Sequence, residues 1–188
     1  YAGANGKIKR YVEWDATGRY TFAGYEVNDF RVDANMKFSF YPFRRDKYSP
    51  IDLKIHFETG LKEPDFYQQN LLTNHFKWSN NFSKASTTKI LGELDIPKWE
   101  MTASFGYALL ANNLYYDSKA IVRQNEKATS VMSAYLQKNF TFWKIHLDNR
   151  ALFQLSSNNE VLPLPMLSLN LRWYLQFPVV KNVMEMQI

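Results

Sequence analysis

The 188-residue chain contains no cysteine. Thiolate zinc sites, iron–sulfur clusters, cysteine nucleophiles and disulfides are therefore absent from it, and such a chain suits an oxidising compartment. No stretch approaches the ~18 to 20 consecutive apolar residues that a membrane helix needs. Glycine and proline are scarce, seven of each, which excludes a collagen-like or low-complexity chain. No Gly-rich phosphate loop and no segment of helical period occurs. There is neither an initiator Met nor a basic segment followed by an apolar one at Tyr1, which predicts a processed chain or an internal piece. What is present is a 46% hydrophobic, 16% aromatic chain with 23 Lys+Arg against 18 Asp+Glu, net +5. Its mean hydropathy of −0.41 does not exclude a membrane barrel, because lipid-facing and lumen-facing residues alternate and cancel in the average.

Period carries the signal. From Phe30 to Phe40 the apolar residues Phe30, Val32, Ala34, Met36, Phe38 and Phe40 share one parity, and Arg31, Asp33, Asn35, Lys37 and Ser39 take the other. Alternation of this kind belongs to a strand with one apolar and one polar face. It recurs with Ile51, Leu53, Ile55, Phe57 and Leu61 against Asp52, Lys54, His56 and Glu58, and with Trp99, Met101, Ala103, Phe105, Tyr107 and Leu109 against Glu100, Thr102, Ser104 and Gly106. Ile145, Leu147, Ala151, Phe153 and Leu155 oppose His146, Asp148, Arg150 and Gln154; Leu167, Leu169, Leu171, Trp173, Leu175 and Phe177 oppose Ser168, Asn170, Arg172 and Gln176. Weaker strands are expected at 7–14, 71–79, 86–96 and 128–139, and Tyr20 and Phe22 extend the Phe30 strand back to Arg19. The reading is all-β and antiparallel, with about ten strands.

Connections at 15–18, 97–98, 140–143 and 178–181 are short and fall on one side; those at 42–50, 111–127 and 156–165 are longer and fall on the other. Two break the rule, at 62–70 and 80–85. The bias is that of an outer-membrane barrel, with short turns on one side and longer loops on the other. A soluble sandwich would share the alternation, but two further features favour the barrel. The regular strands are close to the ~9–11 residues that cross a bilayer. Large aromatics also gather at strand ends: Trp99, Phe140, Phe142, Trp143 and Phe177 at short turns, and Phe40, Tyr41, Phe43 and Tyr48 at a long connection, as in a headgroup-level girdle. Met184, Met186 and Ile188 form the start of a strand that stops without a turn. The expectation is a transmembrane antiparallel β-barrel segment over 1–188, truncated at both ends and forming a partial arc of a larger barrel, with Phe30, Phe38, Leu53, Phe57, Phe105, Leu147, Leu169 and Trp173 facing lipid.

Three stretches, Gly24 to Phe30 (GYEVNDF), Asn74 to Phe82 (NHFKWSNNF) and Pro163 to Ile188 (PLPMLSLNLRWYLQFPVVKNVMEMQI), resemble the putative porin family of Bacteroidota outer membranes. The resemblance implies an outer-membrane channel without a catalytic residue.

The residues expected to line a lumen are Arg31, Asp33, Lys37, Asp52, Lys54, His56, Glu58, Glu100, His146, Asp148, Arg150, Asn170 and Arg172. His56 with Glu58 and Asp52, and His146 with Asp148 and Arg150, have the i, i+2 spacing of a metal or proton ladder, but a polar lumen row explains them more simply, and no metal or cofactor is assigned. His75 with Ser79 is the nearest hydrolytic pair, and no motif supports it, so no enzyme is read. Lys7, Lys9 and Arg10, and the cluster Arg44, Arg45 and Lys47, sit at turns, where they suit lipopolysaccharide phosphates or anionic lipid rather than nucleic acid. The leading function is passive diffusion of small hydrophilic solutes through the outer membrane. The alternatives are a structural or assembly barrel docking a surface lipoprotein or secreted partner, possible as a homo-oligomer, and a soluble β-sheet binding module. In the 111–127 loop, Tyr115 and Tyr116 either stack on sugar or pack the loop.

Overall fold

A computed structural model describes residues 1–42, 50–180 and 183–188. Ten strands form one antiparallel sheet in near-sequential order: β1 (Ala2–Ile8), β2 (Val12–Tyr20), β3 (Phe30–Phe40), β4 (Ile51–Lys62), β7 (Ala85–Ile96), β8 (Met101–Ala111), β11 (Thr129–Phe142), β12 (Ile145–Ser156), β13 (Leu167–Val180) and β14 (Met184–Gln187). The sheet is not closed, and β1 and β14 are its edges. Two small hairpins stand outside it: β5 (Asn70–Leu72) with β6 (Lys77–Ser79), and β9 (Leu114–Tyr116) with β10 (Val122–Gln124). A single helical turn, α1 (Phe66–Gln69), precedes β5.

The register keeps every apolar row on one face. Phe30 opposes Tyr20 and Leu61, Met36 opposes Trp14 and Ile55, and Leu147 opposes Phe140 and Trp173. At the first hairpin Trp14 lies across Gly6, where an added Cβ would come within 2.5 Å of its ring, so the glycine makes room for the indole.

Along β3 and β4 the polar row is the more sheltered, the reverse of a soluble sheet, while on β13 both faces are exposed. On the apolar face Leu169 is 58% exposed, Trp173 65% and Phe105 54%, whereas Asp52 on the polar face is 8% exposed and Ser39 9%. Among the described residues only Ile96 and Val122 are buried hydrophobics, and Val122 lies in a hairpin outside the sheet. At these exposures Leu167, Leu169, Leu171, Trp173 and Leu175 of β13 would each forgo roughly 1–1.5 kcal/mol in water. Five on one strand approach the ~5–15 kcal/mol by which a whole domain is stable, so this face requires a cover.

Several sequence expectations change. The stretch 7–14 is not one strand but the hairpin of β1 and β2, turning at 9–11 where Lys9 adopts φ 50°. Residues 15–18 lie inside β2 rather than in a turn. The Phe30 strand does not reach back to Arg19, because 21–29 is a connection closed by Thr21 and Asp29, whose backbone N–H of Thr21 donates to the Asp29 carbonyl at 2.9 Å. The 71–79 strand is the off-sheet β5–β6 hairpin, so 62–70 and 80–85 merge into one connection, 63–84. Both exceptions to the loop rule thereby vanish: 21–29, 63–84, 112–128 and 157–166 all leave the same end of the sheet. The β3–β4 connection, 41–50, leaves the opposite end, with the short turns 9–11, 97–100 and 143–144, and so becomes a new exception to the rule. Phe40 and Tyr41 therefore join Tyr11, Trp99, Phe140, Phe142, Trp143 and Phe177 in one aromatic belt. Phe43, Tyr48, Arg44, Arg45 and Lys47 lie outside the described residues.

Candidate functional site

The polar face is built by parity and register. On β3 and β4, Arg31, Asp33, Lys37, Asp52, Lys54, His56 and Glu58 all project to one side, with Asp33 opposite Glu58 and Lys37 opposite Lys54. The two facing lysines are neutralised from the flanks: Lys37 Nζ lies 3.1 Å from Asp52 Oδ2, and Lys54 Nζ lies 2.8 Å from Glu93 Oε1 on β7. Asp52 is further held by the Ser39 hydroxyl, which donates to its Oδ1 at 2.6 Å. Arg31 donates from Nε to both Asp33 oxygens, at 3.1 and 2.9 Å, and its second nitrogen lies 3.6 Å from Glu58 Oε2, while Lys89 reaches Glu58 Oε1 at 3.6 Å.

A second cluster sits on β12 and β13. Arg172 donates to Asp148 Oδ2 at 3.1 and 2.5 Å, and its guanidinium lies 5.5 Å from the Tyr174 ring. Tyr174 stacks on His146, centroids 4.9 Å apart with planes 7° from parallel. Arg150 stands between Gln137 and Asn170 in register and makes no ion pair among the described residues. Between the two clusters β8 and β11 present Thr102, Ser104, Gly106, Ser133, Tyr135 and Gln137, a sector without charge. The face therefore has two charged sectors of mixed sign separated by a neutral one.

Twelve of the thirteen expected residues occupy this face. Glu100 does not lie on a strand: it ends the 3-10 turn Pro97–Trp99 at φ 47°, outside the sheet, because Pro97 starts a turn there instead of extending the strand. The metal ladder also changes partners. Asp52 is engaged by Ser39 and Lys37, and the acid beside His56 and Glu58 is Asp33 of the adjacent strand. Sequence reasoning missed Lys89, Glu93 and Asp95. Their common parity was the available signal, obscured by Leu91 on the same parity. His75 lies in the exposed 73–76 turn, while the Ser79 hydroxyl donates to Asn70 Oδ1 at 3.0 Å; no hydrogen bond joins His75 to Ser79 among the described residues.

The long connections form a layer over one end of the sheet. Asp29, 8% exposed, accepts the Glu63 backbone N–H at 3.0 and 2.9 Å and the Lys84 ammonium at 2.5 Å. The hydrogen bond to Asp29, with the charges of Asp29 and Glu63, holds Lys84 above the usual lysine range against the opposing effect of burial. Gln124 of β10 ties the next connection to this one: its amide group donates to the Ser83 carbonyl at 2.6 Å and accepts the Ser83 N–H at 2.9 Å. The 112–128 loop is thus folded, with Tyr116 exposed and Val122 2% exposed.

Comparison with curated proteins finds no match, and comparison with solved structures finds none either. A model of a protein family described as putative porin matches residues 2–188, and the chain belongs to that family.

Proposed function

We propose that this sheet is part of the wall of a transmembrane β-barrel in the outer membrane, and that the barrel passes small hydrophilic solutes passively. The observation that carries this reading is the exposed apolar face, with Leu169 58% and Trp173 65% exposed, set against an opposite face where the ion pairs gather and Asp52 is buried. Lipid supplies the cover that the apolar face requires, and a hydrated lumen accommodates the paired charges of Arg31, Asp33, Lys37, Asp52, Lys54, His56, Glu58, His146, Asp148, Arg150, Asn170 and Arg172. The aromatic belt then lies at the headgroup level on the short-turn side. The role asks for no catalytic group and no cofactor, and its contacts outside the protein are lipid and lipopolysaccharide.

Planar-bilayer recording of the full-length protein tests the transport role. Stable, ohmic single-channel steps with weak ion preference are expected, since charges of both signs are paired within each charged sector of the proposed wall. A membrane-inserted protein with no conductance would replace this reading with a plugged barrel that docks a lipoprotein or a secreted partner through its folded loop layer.

A further inference from the structure

We infer that Asp33, His56 and Glu58 form a site for a borderline divalent cation of the zinc class. Their ligand atoms lie within 4.8 Å of one another, brought together by register: Asp33 faces Glu58 across β3 and β4, and His56 is two residues before Glu58 on the same face.

The orientation of the imidazole follows from hydrogen-bond logic. The Asp15 carboxylate can only accept, so the Asn35 group that meets it at 2.8 Å is the NH2. Asn35 Oδ1 is thereby turned toward His56 Nδ1, 2.6 Å away, and Oδ1 too can only accept, so Nδ1 carries the hydrogen. In the neutral ring the bare lone pair is then on Nε2, which lies 3.9 Å from Glu58 Oε2 with Asp33 alongside. The Nε2 lone pair and the two carboxylates converge, and the carboxylates take their donors from Arg31 and Lys89 beside them rather than from the imidazole. An outer group that accepts from the far ring nitrogen is the arrangement by which metal-binding histidines are held in one tautomer, and here the chain Asp15–Asn35–His56 supplies it.

One imidazole and two carboxylates match the ligand preferences of Zn2+, with the remaining positions open to water on a hydrated face. Arg31 and Lys89 now neutralise the two carboxylates. The ion takes over that role and the side chains close around it, so Arg31 is a competitor of the metal.

Calorimetric titration of the chelator-treated full-length protein in detergent with Zn2+ alone tests the site. One ion per chain is expected. His56→Gln, Asp33→Asn and Glu58→Gln should each weaken binding at least 10-fold, His146→Gln on the same face should leave it unchanged, and Arg31→Gln should tighten it. The last result separates ligation from a purely structural role, because loss of a structural ion pair would not improve affinity. Retained heat-modifiable gel migration verifies folding of each variant. Absence of Zn2+ binding by the folded wild type, or binding indifferent to His56→Gln, would overturn the inference. Neither outcome depends on conductance: a non-conducting protein that binds Zn2+ through His56 leaves the site intact while removing the porin reading.

Discussion

Asp117 organises the β9–β10 hairpin by accepting three hydrogen bonds, from the backbone N–H of Ile121 at 3.0 Å, from that of Lys119 at 2.9 Å and from Arg123 Nε at 3.2 Å. The bonds from Ile121 and Lys119, and the Arg123 guanidinium, hold its carboxyl below the usual aspartate range. A depressed folded value means that the stabilisation is complete above the ordinary aspartate pKa, about 3.9, and is lost as pH falls through the lower folded value. Amide-exchange protection at Ile121 should therefore be steady near neutrality and collapse below about pH 4, and in Asp117→Asn the protection should be lower and flat with pH. Protection that is equally acid-sensitive in the variant would refute the assignment. Lys9, Glu100, Ala120 and Trp143 all take positive φ, a conformation in which glycine and asparagine are the expected residues. That is why the turn at 9–11 went unread and why Glu100 was placed on a strand.

At the level of the strand, parity was legible wherever both faces were consistent. The strands at Phe30–Phe40, Ile51–Lys62, Ile145–Ser156 and Leu167–Val180 follow the expected alternation closely. Short segments were not legible: Leu71, Leu72, Phe76 and Trp78 lie among polar residues as in a sheet strand, and only the pairing of Leu71 with Trp78 sets β5 and β6 apart as an off-sheet hairpin. The alternation also makes a sharp prediction for β13, where Leu169 and Asn170 are adjacent but face opposite sides. Leu169→Lys should impair membrane assembly at a cost of ~2–4 kcal/mol if the position lies near the midplane, while Asn170→Lys should assemble normally. Denaturant titration of the two variants refolded into lipid vesicles measures the difference, and equal stability would sink the inside–outside assignment.

Across the whole molecule, the sheet's two edges set the remaining requirement. Each of β1 and β14 is paired on one side only among the described residues. In hydrocarbon, unpaired backbone groups cost several kcal/mol each, so the proposed barrel needs both edges satisfied by further strands. Whether those strands come from the same chain or another copy was not legible, because periodicity describes a strand's faces and not its neighbours. The loop layer, by contrast, was legible in outline: the side on which long connections gather was read correctly for 111–127 and 156–165, and misread where β5–β6 was counted as a crossing. The central claim, a membrane-embedded closed barrel, is tested most directly by fractionating cells that express the native full-length protein and comparing its gel migration in detergent before and after boiling. Recovery in the outer membrane with a boiling-dependent shift is the predicted result; recovery in the soluble fraction, with migration indifferent to heating, would contradict it.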